Sequence, residues 1–204
     1  MIHIPRLPYK YHAMLQAHVA ATMSTCDRGP ELLLDPGRHG VGAVIVRDRR
    51  VIAGGYNGSP PGQPHCNELK CDKCGAEFPP ARPDKAGFQD GDPCLSCKIG
   101  KLHGDHIIRD GHCVRTIHSE ANALLQCGLD GVSPEGGTIY CTASPCYDCG
   151  KAIIRAGIVE VCFGQPYDSR YGLSGRVENL LEESGVKVSL CVLAFKDGLL
   201  TPAD

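Results

Sequence analysis

The chain has 204 residues, 42% of them hydrophobic and 22% charged, and 21 basic against 23 acidic residues leave a formal net charge of −2. That composition belongs to a globular protein able to bury a core and excludes a disordered or collagen-like chain. The balance shows neither a basic excess nor a Lys/Arg stripe, which argues against a polynucleotide partner, and no apolar run approaches the length of a membrane span.

Thirteen cysteines are many for this length. They fall as CxxC pairs and HC dipeptides, the pattern of metal binding rather than of a disulfide frame. Pro5, Pro8 and His12 stand where an export signal would run an apolar core, so a reducing cytoplasm is expected.

In chain order, Tyr9 to Thr25 reads as a helix, with Met14, Ala17, His18 and Ala21 at helical spacing. Val41–Val46 and Val51–Gly55 are short apolar strands joined as a hairpin through Asp48-Arg49-Arg50. Gly55-Tyr-Asn-Gly-Ser-Pro60 follows as a glycine-rich loop whose backbone can approach a ligand closely. His118 opens a helix that Gly128 ends, and Thr138–Thr142 is a third strand. Pro145 starts a helix ending near Gly157, Ile158–Phe163 is a fourth strand, Gly175–Ser184 is helical and Val186–Val192 is a fifth strand. Alternating helices and strands predict an α/β layered fold with a partly parallel sheet.

The chemistry lies in His118-Ser-Glu120 and Pro145-Cys146-Tyr-Asp-Cys149. One imidazole and two thiols supply three zinc ligands and leave the fourth tetrahedral position to water, which the ion makes nucleophilic near neutral pH. All three ligands fall at helix N-termini, where amide donors and the helix dipole favour thiolate. Glu120 stands beside the metal without ligating it, placed to carry protons. HxE with PCxxC is the signature of zinc-dependent nucleobase deaminases.

Further stretches resemble the deoxycytidylate (dCMP) deaminase family: Val41–Val46, Gly55–Pro60, Arg115–Leu125, Ser24-Thr-Cys26 and His65-Cys-Asn-Glu68. The resemblance covers most of residues 10–66 and 112–190. It implies a three-layer α/β/α cytidine deaminase-like fold with a five-stranded mixed sheet. It also implies hydrolysis of dCMP to dUMP and ammonia, with His118, Cys146 and Cys149 on the catalytic zinc and Glu120 as proton shuttle. Asn57 would contact the sugar and Ala43 the pyrimidine through its backbone; an Asn side chain offers both donor and acceptor. Arg115 and Arg170 are candidates for the 5′-phosphate. A homo-oligomer is expected by the same resemblance. Positions tied to dCTP/dTTP regulation in the family hold Gln126 and Leu129 here, a departure that puts that regulation in question.

Residues 67–112 depart from the family as an insertion within one domain spanning 1–204. Cys71-x2-Cys74 and Cys94-x2-Cys97 have zinc-ribbon spacing in a Gly/Pro-rich stretch that cannot build its own core, so a structural metal would supply the folding free energy. Lys70, Lys73, Lys98 and Lys101 surround these turns and keep a partner or nucleic-acid contact open. Cys26, Cys66, His112 and Cys113 bracket the insertion as a possible third zinc set, because some family members hold a structural zinc through positions like Cys26 and Cys66. Cys127, Cys141, Cys162 and Cys191 fit core positions. Two rival readings remain: a deaminase of another cytosine compound or of an RNA base, and a zinc-ribbon interaction protein on a deaminase scaffold.

Overall fold

The computed structural model describes residues 6–79, 87–109, 112–166 and 175–203. The chain divides into two compact units, one comprising residues 1–24, 29–57 and 118–204, the other residues 25–28 and 58–117.

The first unit is built on a five-stranded mixed sheet. Its strands are β1 (Gly42–Arg47), β2 (Arg50–Tyr56), β3 (Thr138–Cys141), β4 (Glu160–Phe163) and β5 (Lys187–Leu190). The spatial order is β5-β4-β3-β1-β2. β1 pairs antiparallel with both β2 and β3, whereas β3–β4 and β4–β5 are parallel. Among the described residues, four helices cover the sheet: α1 (Tyr9–Ala21), α2 (Ser119–Leu129), α3 (Tyr147–Arg155) and α4 (Arg176–Glu183).

Strand alternation sorts the side chains into two cores. Val44, Val46, Tyr140 and Cys162 meet Met14 and Ala17 of α1 on one face, joined by Cys191, Leu193 and Leu200. Ala43, Ile45, Ile139, Cys141 and Val161 meet Ala123, Ile153 and Leu181 from the other three helices on the opposite face. The result is the expected α/β/α layering. The four cysteines assigned to the core are buried there: Cys127 and Cys141 on the second face, Cys162 and Cys191 on the first.

Several boundaries differ from expectation for local reasons. α1 ends at Ala21, because Thr22, Met23 and Ser24 each donate to a carbonyl three residues back, tightening the chain out of the helix. Arg50 belongs to β2, so Asp48-Arg49 alone makes the hairpin turn, both residues with positive φ. Two small hairpins, Glu31–Leu32 with Asp35–His39 and Leu193–Lys196 with Leu199–Pro202, carry too little periodic apolar pattern to be read from sequence.

Gly55 serves a purpose its loop motif did not suggest. A Cβ there would overlap the Ser119 carbonyl oxygen and crowd the Ala123 nitrogen, so the glycine lets α2 lie directly on β2. Gly55→Ala is expected to destabilise the protein by about 2–3 kcal/mol through this enforced overpacking. Urea unfolding checks it, and a stability within about 0.5 kcal/mol of wild type would contradict the close packing.

The second unit encloses the cysteine-rich stretch. Its three-stranded sheet has the order Glu77–Phe78, Leu69–Cys71, Leu102–Gly104, and a separate hairpin pairs Ile108–Arg109 with His112–Cys113. Leu69, Cys71, Cys94 and Leu102 form its small core, beside an edge-to-face pair of Phe78 and Phe88 with ring centroids 5.0 Å apart. Among the described residues, no helix is long and apolar enough to cross a membrane.

Candidate active site

α2 and α3 begin on residues whose side chains do not cap them. His118 is the N-cap of α2 and Cys146 the N-cap of α3, both in extended backbone and neither with a side-chain capping bond. The side chains turn towards each other instead. His118 Nδ1 lies 3.4 Å from Cys146 Sγ and 3.6 Å from Cys149 Sγ. The three donor atoms all lie within 4.8 Å of one another, a spacing suited to one tetrahedral ion. One imidazole and two thiols at helix N-termini, His118 and Cys146 half-buried and Cys149 buried, fit zinc.

The thiols share a proton unequally. Cys146 is pushed down to about 4, first by donation from the Cys149 thiol and then, against its burial, by His118. Cys149 is pushed up, because it is the donor in that bond and is buried. Both thiols must be deprotonated to ligate, so binding a metal would release the proton they share.

Glu120, in the first turn of α2, is buried at 4% exposure and stands outside the three-donor set. Ser119 Oγ donates to its Oε2 at 2.8 Å. Burial raises its pKa, His118 opposes that and the Cys146 charge adds to it. Glu120 therefore keeps its proton to higher pH than an ordinary glutamate, as a group that both accepts and returns a proton requires.

Asn57 is buried and fixed. Its Oδ1 accepts from the Val41 N–H at 2.8 Å and from Ser24 Oγ. Both lone pairs are thereby engaged, which orients the amide with Nδ2 as its donor end. The acceptor end is thus taken up inside the protein, by Val41 and by a serine that sequence reasoning had not assigned to the site. Ala43 is wholly buried within β1, paired to Cys141 on one side and Gly55 on the other.

Arg115 belongs to the second unit. There its Nη2 donates to the Gly104 carbonyl at 2.9 Å and lies 3.8 Å from Asp90 Oδ1. Arg170 falls outside the described residues. The four ribbon cysteines come together as expected, all sulfurs within 4.8 Å. The third set forms with a different histidine: Cys26, Cys66 and Cys113 converge with His106, and His112 is not part of the group. His112 precedes Cys113 in the same strand, and adjacent strand residues point to opposite faces, so with Cys113 facing the other donors His112 faces away from them. The HC dipeptide was the misleading signal, and no local spacing marked His106.

Residues 13–165 match the model of the cytidine and deoxycytidylate deaminase zinc-binding region. The chain belongs to this deaminase family. All three catalytic-site donors and Glu120 lie inside the matched span. Among its relatives, ComE operon protein 2 of Bacillus subtilis (strain 168) is 35% identical over 183 residues, covering 90% of this chain and 71% of that protein. The deoxycytidylate deaminase of Enterobacteria phage T4 is 34% identical over 156 residues, 72% of this chain and 77% of the phage enzyme. The deaminase fold itself recurs in the crystal structure of dCMP deaminase from cyanophage S-TIM5 in complex with dCMP and dUMP. That likeness has a TM-score of 0.57 and 24% identity, over 89% of this chain and 95% of that one.

Proposed function

We propose that this chain catalyses the zinc-dependent hydrolysis of dCMP to dUMP and ammonia. The observation that carries the reading is a three-donor metal site at two helix N-termini with a buried, non-ligating glutamate beside it. Relatives more than 30% identical that are named deoxycytidylate deaminase support the substrate. Zinc held by His118, Cys146 and Cys149 would lower the pKa of water and so supply the nucleophile for C4 of cytosine. Glu120 would carry one proton from the attacking water to N3 and then a second from the resulting C4 hydroxyl to the departing amine, so that cytosine plus water gives uracil plus ammonia. Asn57, its Oδ1 tied to Val41 and Ser24, presents Nδ2 to a sugar hydroxyl. Ala43 contacts the pyrimidine through its backbone, and Arg170 is the candidate donor to the 5′-phosphate. The enzyme works in the reducing cytoplasm, as its thirteen cysteines in metal-binding and core patterns suit, and as a homo-oligomer, as its resemblance to the family implies.

Ammonia release across cytosine and adenine nucleosides, nucleotides, single-stranded DNA and transfer RNA tests the reading. dCMP is expected to give a kcat/KM at least about 10²-fold above deoxycytidine, because a substrate lacking the phosphate leaves its donors unpaired. The nucleic acids are expected to give no product, since their affinity rests on phosphate neutralisation that a chain of net charge −2 supplies poorly. Equal rates on nucleoside and monophosphate would refute the phosphate site. Inosine in transfer RNA would replace the substrate class.

A further inference from the structure

The two CxxC turns of the second unit share one backbone geometry. In each, the residue after the second cysteine has positive φ, 70° at Gly75 and 60° at Lys98. Its N–H donates to the carbonyl of the first cysteine, Gly75 to Cys71 at 3.0 Å and Lys98 to Cys94 at 2.9 Å. Amides inside and after the turns aim at sulfur: Lys73 N–H at Cys71 Sγ (3.4 Å), Cys97 N–H at Cys94 Sγ (3.5 Å) and Gly100 N–H at Cys97 Sγ (3.4 Å). Amide donors aimed at sulfur favour the thiolate. A lysine in left-handed backbone costs about 1–2 kcal/mol, a conformation kept here by the matched turn. The turns face each other, with Cys71 and Cys97 sulfurs 3.6 Å apart and those of Cys74 and Cys94 3.7 Å apart. Four sulfurs complete a tetrahedron and leave no position for water, the arrangement of a structural zinc.

The hairpin beneath these turns connects them to the other donor set. Leu69–Cys71 pairs with Leu102–Gly104 in the register Leu69 to Gly104 and Cys71 to Leu102, and the Asp105 N–H extends the ladder to the Glu68 carbonyl at 2.9 Å. Cys66 and His106 leave the far end of this hairpin on opposite strands and join Cys26 and Cys113. There Cys66 Sγ is 3.5 Å from Cys113 Sγ, and His106 Nδ1 is 3.8 Å from Cys26 Sγ. His106 Nε2 lies 2.7 Å from Asp27 Oδ1, a carboxylate partner that fixes the ring with Nδ1 towards the thiols. The hairpin's own core is too small to hold it folded without a staple.

We propose that Cys71, Cys74, Cys94 and Cys97 hold a Zn2+ that folds the hairpin, and that this folding assembles the Cys26/Cys66/His106/Cys113 set at its base. Zinc at the tip therefore raises zinc affinity at the base. Pairing of the strands shortens the loop between Cys66 and His106 from about forty flexible residues to about five, which by loop-closure scaling strengthens the base set roughly 20-fold.

The test uses the full chain with Zn2+ as the probe. It reads protection of each cysteine from alkylation by mass spectrometry across a buffered zinc series, a readout independent of deamination. Wild type is expected to protect the tip cysteines and Cys26, Cys66 and Cys113. In Cys74→Ser/Cys97→Ser, protection of Cys26, Cys66 and Cys113 is expected to need about ten- to thirty-fold more zinc. A second variant replaces residues 72–101 by an Asn-Gly turn, joining Cys71 directly to its partner Leu102. It has no tip site but shortens the chain between Cys66 and His106 covalently to about a dozen residues, and should protect the base set at a zinc concentration several-fold below that needed by the double serine variant. Three results would overturn the proposal: tip cysteines that zinc never protects in wild type, unchanged base affinity in the double serine variant, or an unprotected base set in the turn variant.

Discussion

Glu120→Gln is expected to abolish measurable turnover of dCMP while the His118/Cys146/Cys149 set keeps its zinc. Glutamine preserves the volume of a side chain that is 4% exposed, so the fold and the metal ligands stay in place. What it removes is a carboxylate able to accept and return protons at two points in one reaction. General acid–base groups contribute about 10²–10⁴-fold each, and a group serving two transfers should approach or exceed the upper figure. Burial holds the Glu120 proton to higher pH than usual, which matches it to a ring nitrogen and an amine rather than to a surface role. Activity and zinc content measured on the same preparation decide the assignment. Retained activity would remove Glu120 from the chemistry, and loss of the catalytic zinc would make it a ligand.

Cys149→Ala is expected to lose both the catalytic zinc and the activity. Structural zinc sites of four ligands bind with about 10–16 kcal/mol, so one ligand carries about 3 kcal/mol, on the order of 10²-fold in affinity. The loss is larger here, because among the described residues three donors come together at this site and Cys149 is one of them. The remaining Cys146 also loses the thiol that donates to it and keeps its pKa low. Metal analysis after dialysis against a moderate chelator, paired with turnover, checks this. Full zinc retention would show that some other residue completes the site. A stable variant that binds zinc weakly yet turns over at the wild-type rate would show that the metal is not catalytic.

Much of the site was legible because its spacing is local. HxE sets an imidazole and a carboxylate at the start of one helix, and PCxxC sets two thiols at the start of another. The two CxxC turns announced a metal because each is a self-contained bend whose geometry depends on four or five consecutive residues. The sheet strands were legible for the same reason: Val44 and Val46 alternate with Ala43 and Ile45, and alternation alone assigns them to opposite faces. What failed to show was whatever depends on pairing across distance. Glu31–Leu32 and its partner strand hold Pro36 and Gly37 and have no period to read.

The sequence by itself determined the family and singled out His118, Cys146, Cys149, Glu120 and the ribbon cysteines, each by residue type at fixed short spacing. The tertiary structure decided which histidine joins Cys26, Cys66 and Cys113. The HC dipeptide pointed to His112, but adjacent strand residues face opposite ways, and strand pairing in the ribbon brings His106 to Cys66. It also decided that Asn57 keeps its acceptor for Val41 and Ser24, that Gly55 makes room for α2, and that Arg115 donates to Gly104. Each of these joins residues far apart in the chain. Local spacing carries no information about them, because register and layer packing are fixed only when the whole sheet and its helices come together.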